Sequence, residues 1–390
     1  MKRLGRVVLI GLLGLLVLCM VVTGLSALSN RNLPTQSTVV DRLDPLQKAR
    51  LAEVLHLRQA LGDAVWPGWS AADIPVIVYN EGYAFLVGYS DPPAGLVKAP
   101  RAGNVGGPWE AMPGDAFLGQ PYYRQPLPDP NVTPENFTVQ VGDRWVATLQ
   151  TKDYAAVAFY QGFRDQLPSF LRAVFPYRLA WSFLGGDSEV YLGGLAHEAF
   201  HAWQGASATQ RLNQAELAVR LETGYPWEDA ALEAAWQVEL ETLAAAAAAE
   251  SEAEAAELAR QFLALRDQRR AESHLAPELL DYERQREWLE GLAKYAELSL
   301  LREAGRASGY QPLAAMAGDP DFENYAGSQR YWQQQLQEIA RLAGRSSETR
   351  FYYAGFGQAV LLDRLAPGWK VQAMQPGVFL EDVLRAVVTQ

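Results

Sequence analysis

Two histidines four residues apart mark the stretch GLAHEAFHAWQ, residues 194–204. On an α-helix, residues i and i+4 project from the same face, so His197 and His201 lie one above the other. Two imidazoles in this arrangement can both bind one tetrahedral zinc ion, and Glu198 lies beside them, where it can activate a water molecule. The alternative is an apolar helix with two hydrogen-bonded histidines on a buried face. The chain has only four histidines and two of them fall in this pattern, which favours the metal site.

A catalytic zinc site of this kind needs a third protein ligand. In metzincins the motif continues with Gly three residues and His six residues after the second histidine. Those positions hold Gln204 and Ser207 here, which excludes that class, and the only histidine further along the chain is His274. The third ligand is therefore expected to be a glutamate, as in His₂Glu sites, and the residues alone leave several glutamates open.

The segment EWLEGLAKYAE, residues 287–297, resembles the third-ligand helix of the gluzincin metallopeptidases, including the aminopeptidase-N-like enzymes. That helix typically reads W-L-N-E-G-F-A-x-Y-x-E. The matching residues are Trp288, Leu289, Glu290, Gly291, Ala293, Tyr295 and Glu297. The resemblance assigns the third zinc ligand to Glu290, whereas Glu287 comes too early in the match and is expected to be a surface charge. Glu297, two turns beyond Glu290 on the same face, is expected to orient a ligand histidine.

A further segment, FYYAGFGQAVLLDRL at residues 351–365, is similar to the Y-x-K-G-x-x-L-L helix start of the same aminopeptidases. In those enzymes the tyrosine hydroxyl stabilises the oxyanion of the tetrahedral intermediate. Tyr352 takes the position of that tyrosine, Gly355 follows three residues later, and Ala354 replaces the usual lysine. Tyr353 is the alternative for the same role. An ordinary aromatic residue packed against the site would give the same pattern.

The resemblance implies a zincin-like metallopeptidase with Zn²⁺ as cofactor. His197, His201 and Glu290 would hold the ion. Glu198 would act as the general base, and Tyr352 would donate a hydrogen bond to the oxyanion. The expected substrate is a peptide or a protein.

The chain departs from these enzymes in two respects. Residues 202–289 form a much longer spacer, which a helical insertion at about residues 227–273 explains, since such insertions are tolerated where they leave and re-enter at one place. No segment resembles G-x-M-E-N, so aminopeptidase specificity is not implied. The Ala/Glu-rich insertion fits a solvated helical hairpin or a partner-binding element. An inactive zincin-like domain acting as a membrane-tethered scaffold, or a zinc hydrolase with a non-peptide substrate, is therefore also open.

Strand patterns precede helical patterns along the chain, which predicts an α+β, mostly helical fold. A helix over residues 44–61 is expected to be capped by Asp44. Two hairpins, IPVIVY with YAFLVG and FTVQV with RWVATLQ, predict a small antiparallel sheet with helices packed on one side. The Gly/Pro-rich residues 89–135 predict one long loop. The expected boundaries place the sheet at about residues 70–150 and the helical part, which carries the site, at about 151–390.

The ends and glycines of the HEAFH helix give further expectations. Asp187 and Ser188 can cap its start, and Gly205 can end it. Gly193 and Gly194 cost about 1 kcal/mol each in a helix relative to Ala. They are expected to permit close approach to the sheet, unless the helix begins after them.

Residues 1–29 predict a membrane anchor or a signal segment. Lys2, Arg3 and Arg6 precede an uncharged apolar run at residues 7–28. That run can span a bilayer, which needs roughly 20 residues, and the basic flank predicts a cytoplasmic N-terminus with the rest facing outward. The residues ALS before Asn30, at the end of the run, leave a cleaved signal peptide, and hence secretion, as the alternative. The only cysteine, Cys19, lies inside the run, so no disulfide is expected in residues 30–390.

Composition narrows the classes of partner. The 390 residues are 49% hydrophobic and 20% charged, which is typical of a globular protein. The net charge of −11 argues against nucleic acid and against anionic lipid surfaces as main partners. Composition leaves the oligomeric state open.

Overall fold

The computed structural model describes residues 2–101, 103–128, 138–345 and 347–389. About 61% of the chain is helical and the strands form one curled sheet, which agrees with the predicted α+β class. The strands are β1 (Val76–Tyr79), β2 (Tyr83–Val87), β3 (Leu96–Lys98), β4 (Asn104–Val105), β5 (Glu110–Ala111), β6 (Tyr123–Pro126), β7 (Val139–Val141) and β8 (Arg144–Gln150). The helices are α1 (Lys2–Ser29), α2 (Pro45–Val65), α3 (Lys152–Gln166), α4 (Ser169–Arg172), α5 (Tyr177–Leu184), α6 (Ser188–Ser207), α7 (Thr209–Ala218), α8 (Ala230–Ala248), α9 (Glu252–Ser273), α10 (Pro277–Arg286), α11 (Leu292–Arg306), α12 (Ser328–Arg341), α13 (Thr349–Leu365), α14 (Trp369–Ala373) and α15 (Leu380–Val388).

The sheet has the order β4-β3-β7-β8-β1-β2-β6-β5. Both predicted hairpins are present, as the antiparallel pairs β1/β2 and β7/β8. The two hairpins meet along β1 and β8, which run parallel with Val76 opposite Ala147, so the sheet is mixed and the prediction of an antiparallel sheet was wrong at this junction. A parallel junction depends on the long connection between the hairpins, which local patterns do not specify.

The prediction of one long loop at residues 89–135 was also wrong. This segment contains β3, β4, β5 and β6, which extend the sheet at both edges. These strands have only two to four residues and are held by pairing with β7 and β2. Strands this short carry too few residues for an alternating pattern, so only their partners define them. Residues 102 and 129–135 of the predicted loop lie outside the described residues.

Alternate residues of β1 point to opposite faces of the sheet, as strand geometry requires. Val76 and Val78 belong to the main core, which the sheet shares with the helices. Ile77 and Tyr79 belong to a smaller core on the other face. Tyr154 of α3 packs against Tyr79 there, with ring centroids 6.4 Å apart, so the helices do not lie on one side only.

Helix α2 begins as predicted. The Asp44 side chain accepts hydrogen bonds from the backbone amides of Leu46 and Gln47, which satisfies two free donors at the helix start. The helix continues to Val65, four residues beyond the expected end.

Helix α6 carries the HEAFH motif and differs from expectation at both ends. Asp187 occupies the N-cap position without a side-chain capping hydrogen bond. The Ser188 hydroxyl instead donates to a carboxylate oxygen of Asp319 at 2.7 Å. Gly205 lies inside the helix and not at its end. Glycine is needed there because a Cβ would overlap the indole ring of Trp145 on β8.

The paired glycines of α6 allow two close approaches. A Cβ on Gly194 would lie 3.3 Å from the Leu149 side chain of β8, which agrees with the predicted approach to the sheet. A Cβ on Gly193 would lie 3.0 Å from Leu301 and 3.3 Å from the Glu297 side chain, both on α11. The glycines therefore allow α6 to pack closely between the sheet and α11, the helix that carries Glu297.

The Ala/Glu-rich insertion forms two helices, α8 and α9, that pack against each other. The prediction of a solvated hairpin was correct for one face only, because the other face of α9 is buried in the core. Phe262 and Arg266 of α9 are fully buried. Arg266 hydrogen-bonds to Glu239 at 2.8 Å, to Glu287 at 2.7 Å and to Glu381 at 2.9 Å. Glu287 was expected at the surface but is buried. Its counter-charge, Arg266, comes from a different helix. The buried network comprises Arg266, Arg269, Arg270, Glu239, Glu283, Glu287 and Glu381.

Helix α1 is long and apolar enough to cross a membrane or to serve as a signal sequence. The candidate membrane span is Leu13–Asn32, with a mean hydropathy of 1.9. The side chains of residues 2–12, 18 and 19, and with them Cys19, lie outside the described part of the helix. Within the described residues, this is the one helix that meets these criteria.

Candidate metal centre

Three side chains from two separate helical segments converge at one buried point. His197 and His201 extend from α6, and Glu290 extends from a π-helical segment, Glu287–Gly291, between α10 and α11. The two Nε2 atoms lie 3.1 Å apart, and one oxygen of Glu290 lies 3.3 Å from each. In a tetrahedral zinc site, donor atoms about 2.0–2.1 Å from the ion are about 3.3 Å from one another. Two imidazole nitrogens and a carboxylate oxygen at this spacing fit a metal ion, as the sequence predicts.

Two glycines bring the Glu290 segment against α13. A Cβ on Gly291 would overlap the backbone of Gly355, and a Cβ on Gly355 would overlap the carbonyl oxygen of Glu287. Glycine is required at both positions because the two backbones are in contact. The wider π-helical turn at the same place belongs to a type of local irregularity that is frequent at functional sites. This crossing sets the position of Tyr352 relative to Glu290.

A hydrogen-bond partner holds the far nitrogen of each histidine. His197 Nδ1 lies 3.2 Å from a carboxylate oxygen of Glu297, as predicted for that residue. His201 Nδ1 lies 2.8 Å from the side-chain oxygen of Gln204, whose amide donates to the backbone carbonyl of Trp288 at 3.2 Å. A proton held on Nδ1 leaves the Nε2 lone pair directed at the common point, as metal ligation requires.

Glu297 is ionised in this environment. Burial opposes its charge, but Lys294 and His197 outweigh burial and lower the pKa of the carboxyl to about 2. The Lys294 ammonium lies 2.7 Å from the second carboxylate oxygen. One oxygen of Glu297 therefore hydrogen-bonds to His197, and the other accepts a hydrogen bond from Lys294.

Arg286 and Gln204 are site residues that sequence reasoning missed. Arg286 donates to the Glu290 oxygen that does not face the histidines, at 2.9 Å, and also to Glu348 at 2.9 Å. Although burial raises the pKa of Glu290, Arg286 and His201 outweigh burial and hold it well below its usual value. The available signals were local: Arg286 precedes Glu290 by four residues and Gln204 follows His201 by three, which are same-face spacings.

Glu198 is half-buried on α6, next to the first histidine. Burial raises the pKa of Glu198, and the neighbouring His201 and His197 offset part of that rise. A carboxylate with a raised pKa accepts a proton more readily than an ordinary one. The position and environment of Glu198 are thus compatible with its predicted role as a base.

Tyr352, and not Tyr353, lies beside the three converging side chains. The Tyr352 ring lies nearly parallel to that of His197, with centroids 6.1 Å apart. Burial, reinforced by the Glu290 carboxylate, raises the pKa of the Tyr352 hydroxyl well above its ordinary value. The Tyr353 hydroxyl instead donates to Gln335 on α12 at 2.6 Å.

The other two histidines do not belong to this cluster. His56 stacks on Tyr310 at a centroid distance of 5.3 Å. His274 is exposed at the end of α9, with a left-handed backbone φ of 50°. His274, the one histidine that follows His201 in the sequence, is not part of the group of described residues that can hold a metal.

No protein-family model matches the chain, and neither a curated protein nor a solved structure matches it. The resemblance to gluzincins therefore rests on three short segments, residues 194–204, 287–297 and 351–365. These segments are far apart in the sequence and meet at the candidate metal centre.

Proposed function

We propose that the protein is a zinc-dependent metallopeptidase, held at a membrane by α1 with the rest of the chain facing outward. The observation that carries the proposal is the convergence of His197, His201 and Glu290 on one buried point. Three residues that meet by folding, in the set that His₂Glu zinc sites use, are better explained by metal binding than by packing.

The donor set supports zinc over harder cations. Two imidazoles and one carboxylate suit zinc, whereas magnesium and calcium are held mainly by oxygen atoms. Zinc bound there would polarise a substrate carbonyl and lower the pKa of a water molecule towards ~7.

The proton transfers fall to Glu198. Its carboxylate would accept a proton from the attacking water and later deliver it to the leaving amine. Burial of Glu198 raises its pKa in the metal-free site, which favours acceptance of a proton.

Tyr352 would stabilise the negative charge that develops on the carbonyl oxygen. A tyrosine hydroxyl is ordinarily protonated at neutral pH, and burial raises the pKa of Tyr352 further, so the hydroxyl can donate a hydrogen bond. The ring is also fixed beside His197, which limits the reorganisation needed during the reaction.

The scaffold alternative has less support than the sequence suggested. It drew on the Ala/Glu-rich insertion as a partner-binding element, but α9 is packed into the core and carries the buried Arg266. Hydrolysis of a substrate other than a peptide uses the same groups, and only an assay separates the two.

The test is peptide hydrolysis by the full chain in detergent, with a mixed peptide library analysed by mass spectrometry. Wild-type protein loaded with zinc should cleave peptides, and Glu198→Gln should lose turnover while retaining the metal. Glu303→Gln, a change on α11 away from the centre, is the matched control and should remain active. Cleavage that persists in Glu198→Gln would refute the assigned base, and an inactive wild-type protein with full zinc occupancy would refute the peptidase.

A further inference from the structure

A second apolar surface lies next to α1, on the short helices α4 and α5. Phe170 and Phe183 are 75% and 80% exposed, which is unusual for large aromatic side chains. We call this set the α4–α5 apolar surface; it comprises Phe170, Leu171, Leu179, Phe183 and Leu184. Among the described residues outside α1, half of the exposed large hydrophobic residues fall in this short stretch. Leu179 and Phe183 are four residues apart on α5 and therefore share one face of that helix. Exposed apolar residues concentrated in one segment favour an interaction site over scattered surface residues.

The surface is supported by a packed aromatic layer. The ring centroid of Trp181 on α5 lies 5.3 Å from that of Phe159 on α3, and the stacked rings of Phe163 and Phe175 have centroids 5.6 Å apart. Tyr177 is fully buried and its hydroxyl donates to the backbone carbonyl of Arg172 at 3.1 Å. Phe159, Phe163, Phe175 and Trp181 are half-buried in this layer, whereas Phe170 and Phe183 are exposed.

The same segment is attached to the end of α1. The Asn30 side-chain amide donates to the backbone carbonyls of Ala173 and Phe175, at 3.0 and 2.8 Å. Arg178 donates to the carbonyl of Asn32 at 2.8 Å. Leu25, in the last turns of α1, is 63% exposed and lines a cleft together with Leu179, so the apolar surface of α1 lies next to that of α5. A cleft of about 240 Å³ between the two helices is lined by Val22, Leu25, Ser29, Tyr177 and Leu179.

The charges around the surface also suit a membrane interface. Arg164, Arg172 and Arg178 are exposed, and Asp165 is the one acidic residue from 164 to 184. Arginine side chains beside an apolar patch can reach lipid headgroups while their stems lie along the acyl region. This local excess of positive charge contrasts with the net charge of −11 for the chain.

We propose that the α4–α5 apolar surface enters the interfacial layer of the same membrane that α1 engages. Helices of this kind lie in the plane of the membrane with their apolar face about 5–10 Å below the headgroups. Two contacts, one from α1 and one from this surface, would hold the domain against the bilayer at a fixed orientation. The proposal rests on the proposed membrane attachment through α1, and it is independent of the metal centre and of any catalytic activity.

The test measures the depth of single positions in the full chain, reconstituted in phosphatidylcholine nanodiscs. With Cys19→Ser as background, Phe183→Cys is labelled with an environment-sensitive fluorophore and lipids carry nitroxides on their acyl chains. Val371→Cys is the matched control, since Val371 is 66% exposed on α14, away from α1. Quenching at position 183 should exceed that at position 371 by roughly twofold or more, with a blue-shifted emission. Equal quenching at the two positions would overturn the proposal.

A second variant separates membrane contact from contact between two copies. A label placed by Phe170→Cys should be quenched by the same lipids, and Phe183→Asp with Leu184→Asp should remove most of that quenching. These side chains are exposed, so thermal melting should be unchanged. Lipid-independent self-quenching that appears only with two labelled chains per disc would instead assign the surface to a dimer, and would overturn the proposal.

Discussion

Glu297→Ala should weaken zinc binding without removing any of the three metal ligands. The Glu297 carboxylate fixes one histidine, His197, through Nδ1, while Gln204 fixes the other. A hydrogen bond to a charged group contributes about 1.5–3 kcal/mol. Loss of such a partner of a metal ligand typically costs about 10–100-fold in metal affinity, which corresponds to about 1.4–2.7 kcal/mol. We therefore expect the zinc dissociation constant to rise by about one to two orders of magnitude.

Glu297→Gln refines this prediction. The amide oxygen can still accept from Nδ1, but a neutral hydrogen bond contributes only about 0.5–1.5 kcal/mol. The expected loss is about 1 kcal/mol, or roughly fivefold in affinity. Both variants also remove the ion pair between Lys294 and residue 297. This loss is the same with and without zinc, so it lowers the free energy of unfolding but does not change the zinc affinity.

The assay is competition for zinc against a fluorescent chelator, with the full chain in detergent at neutral pH. Glu303→Gln on the same helix serves as the control and should bind zinc as the wild type does. Thermal melts of the metal-free variants separate loss of affinity from loss of folding. An affinity for Glu297→Ala within twofold of wild type, in a protein whose zinc binding depends on Glu290, would refute the reasoning.

Three further predictions concern the backbone crossing, the oxyanion and acid stability. Gly355→Ala should cost about 1–3 kcal/mol in unfolding free energy, measured by denaturant titration, because its Cβ overlaps the carbonyl of Glu287; an unchanged midpoint would contradict the close crossing. Tyr352→Phe should lower kcat by about 10²–10³-fold with zinc content unchanged, whereas an unchanged kcat would leave Tyr352 as a packing residue. Burial opposes ionisation of Glu381, but Arg266 outweighs it and lowers the pKa to about 2, below the unfolded value. Its contribution to the free energy of unfolding, at most about 3 kcal/mol, is therefore complete above about pH 5 and lost as the pH falls towards 2. In Glu381→Gln, the unfolding free energy of the metal-free protein should depend less on pH over that range.

The sequence predicted those parts of the site whose geometry is local. His197 and His201 share a face because of their spacing, and Glu297 follows Glu290 by two turns for the same reason. Once the helices are known, the face on which such residues lie can be predicted without knowledge of the tertiary structure. The choice of Glu290 among many glutamates came from resemblance to a known motif, and the structure brings it to within 3.3 Å of both histidines.

The missed features depend on contacts between distant segments. Glu287 was expected at the surface because it comes too early in the motif match to be a ligand, but Arg266 of α9 binds it in the core. The short strands β3 and β4 are defined by pairing with β7 and with each other, not by their own residues. The four-residue spacing places Arg286 on the same helix face as Glu290. Only the structure shows that it binds one carboxylate oxygen and leaves the other for the histidines.

The central claim is that His197, His201 and Glu290 bind one zinc ion. The most direct measurement is the metal content of the full chain, purified in detergent without chelator or histidine tag, by mass spectrometry of the element. The account predicts about one zinc ion per chain, lost in Glu290→Ala and retained in Glu198→Gln. A chain that contains no zinc even after zinc is supplied, or a Glu290→Ala variant with undiminished zinc, would contradict it.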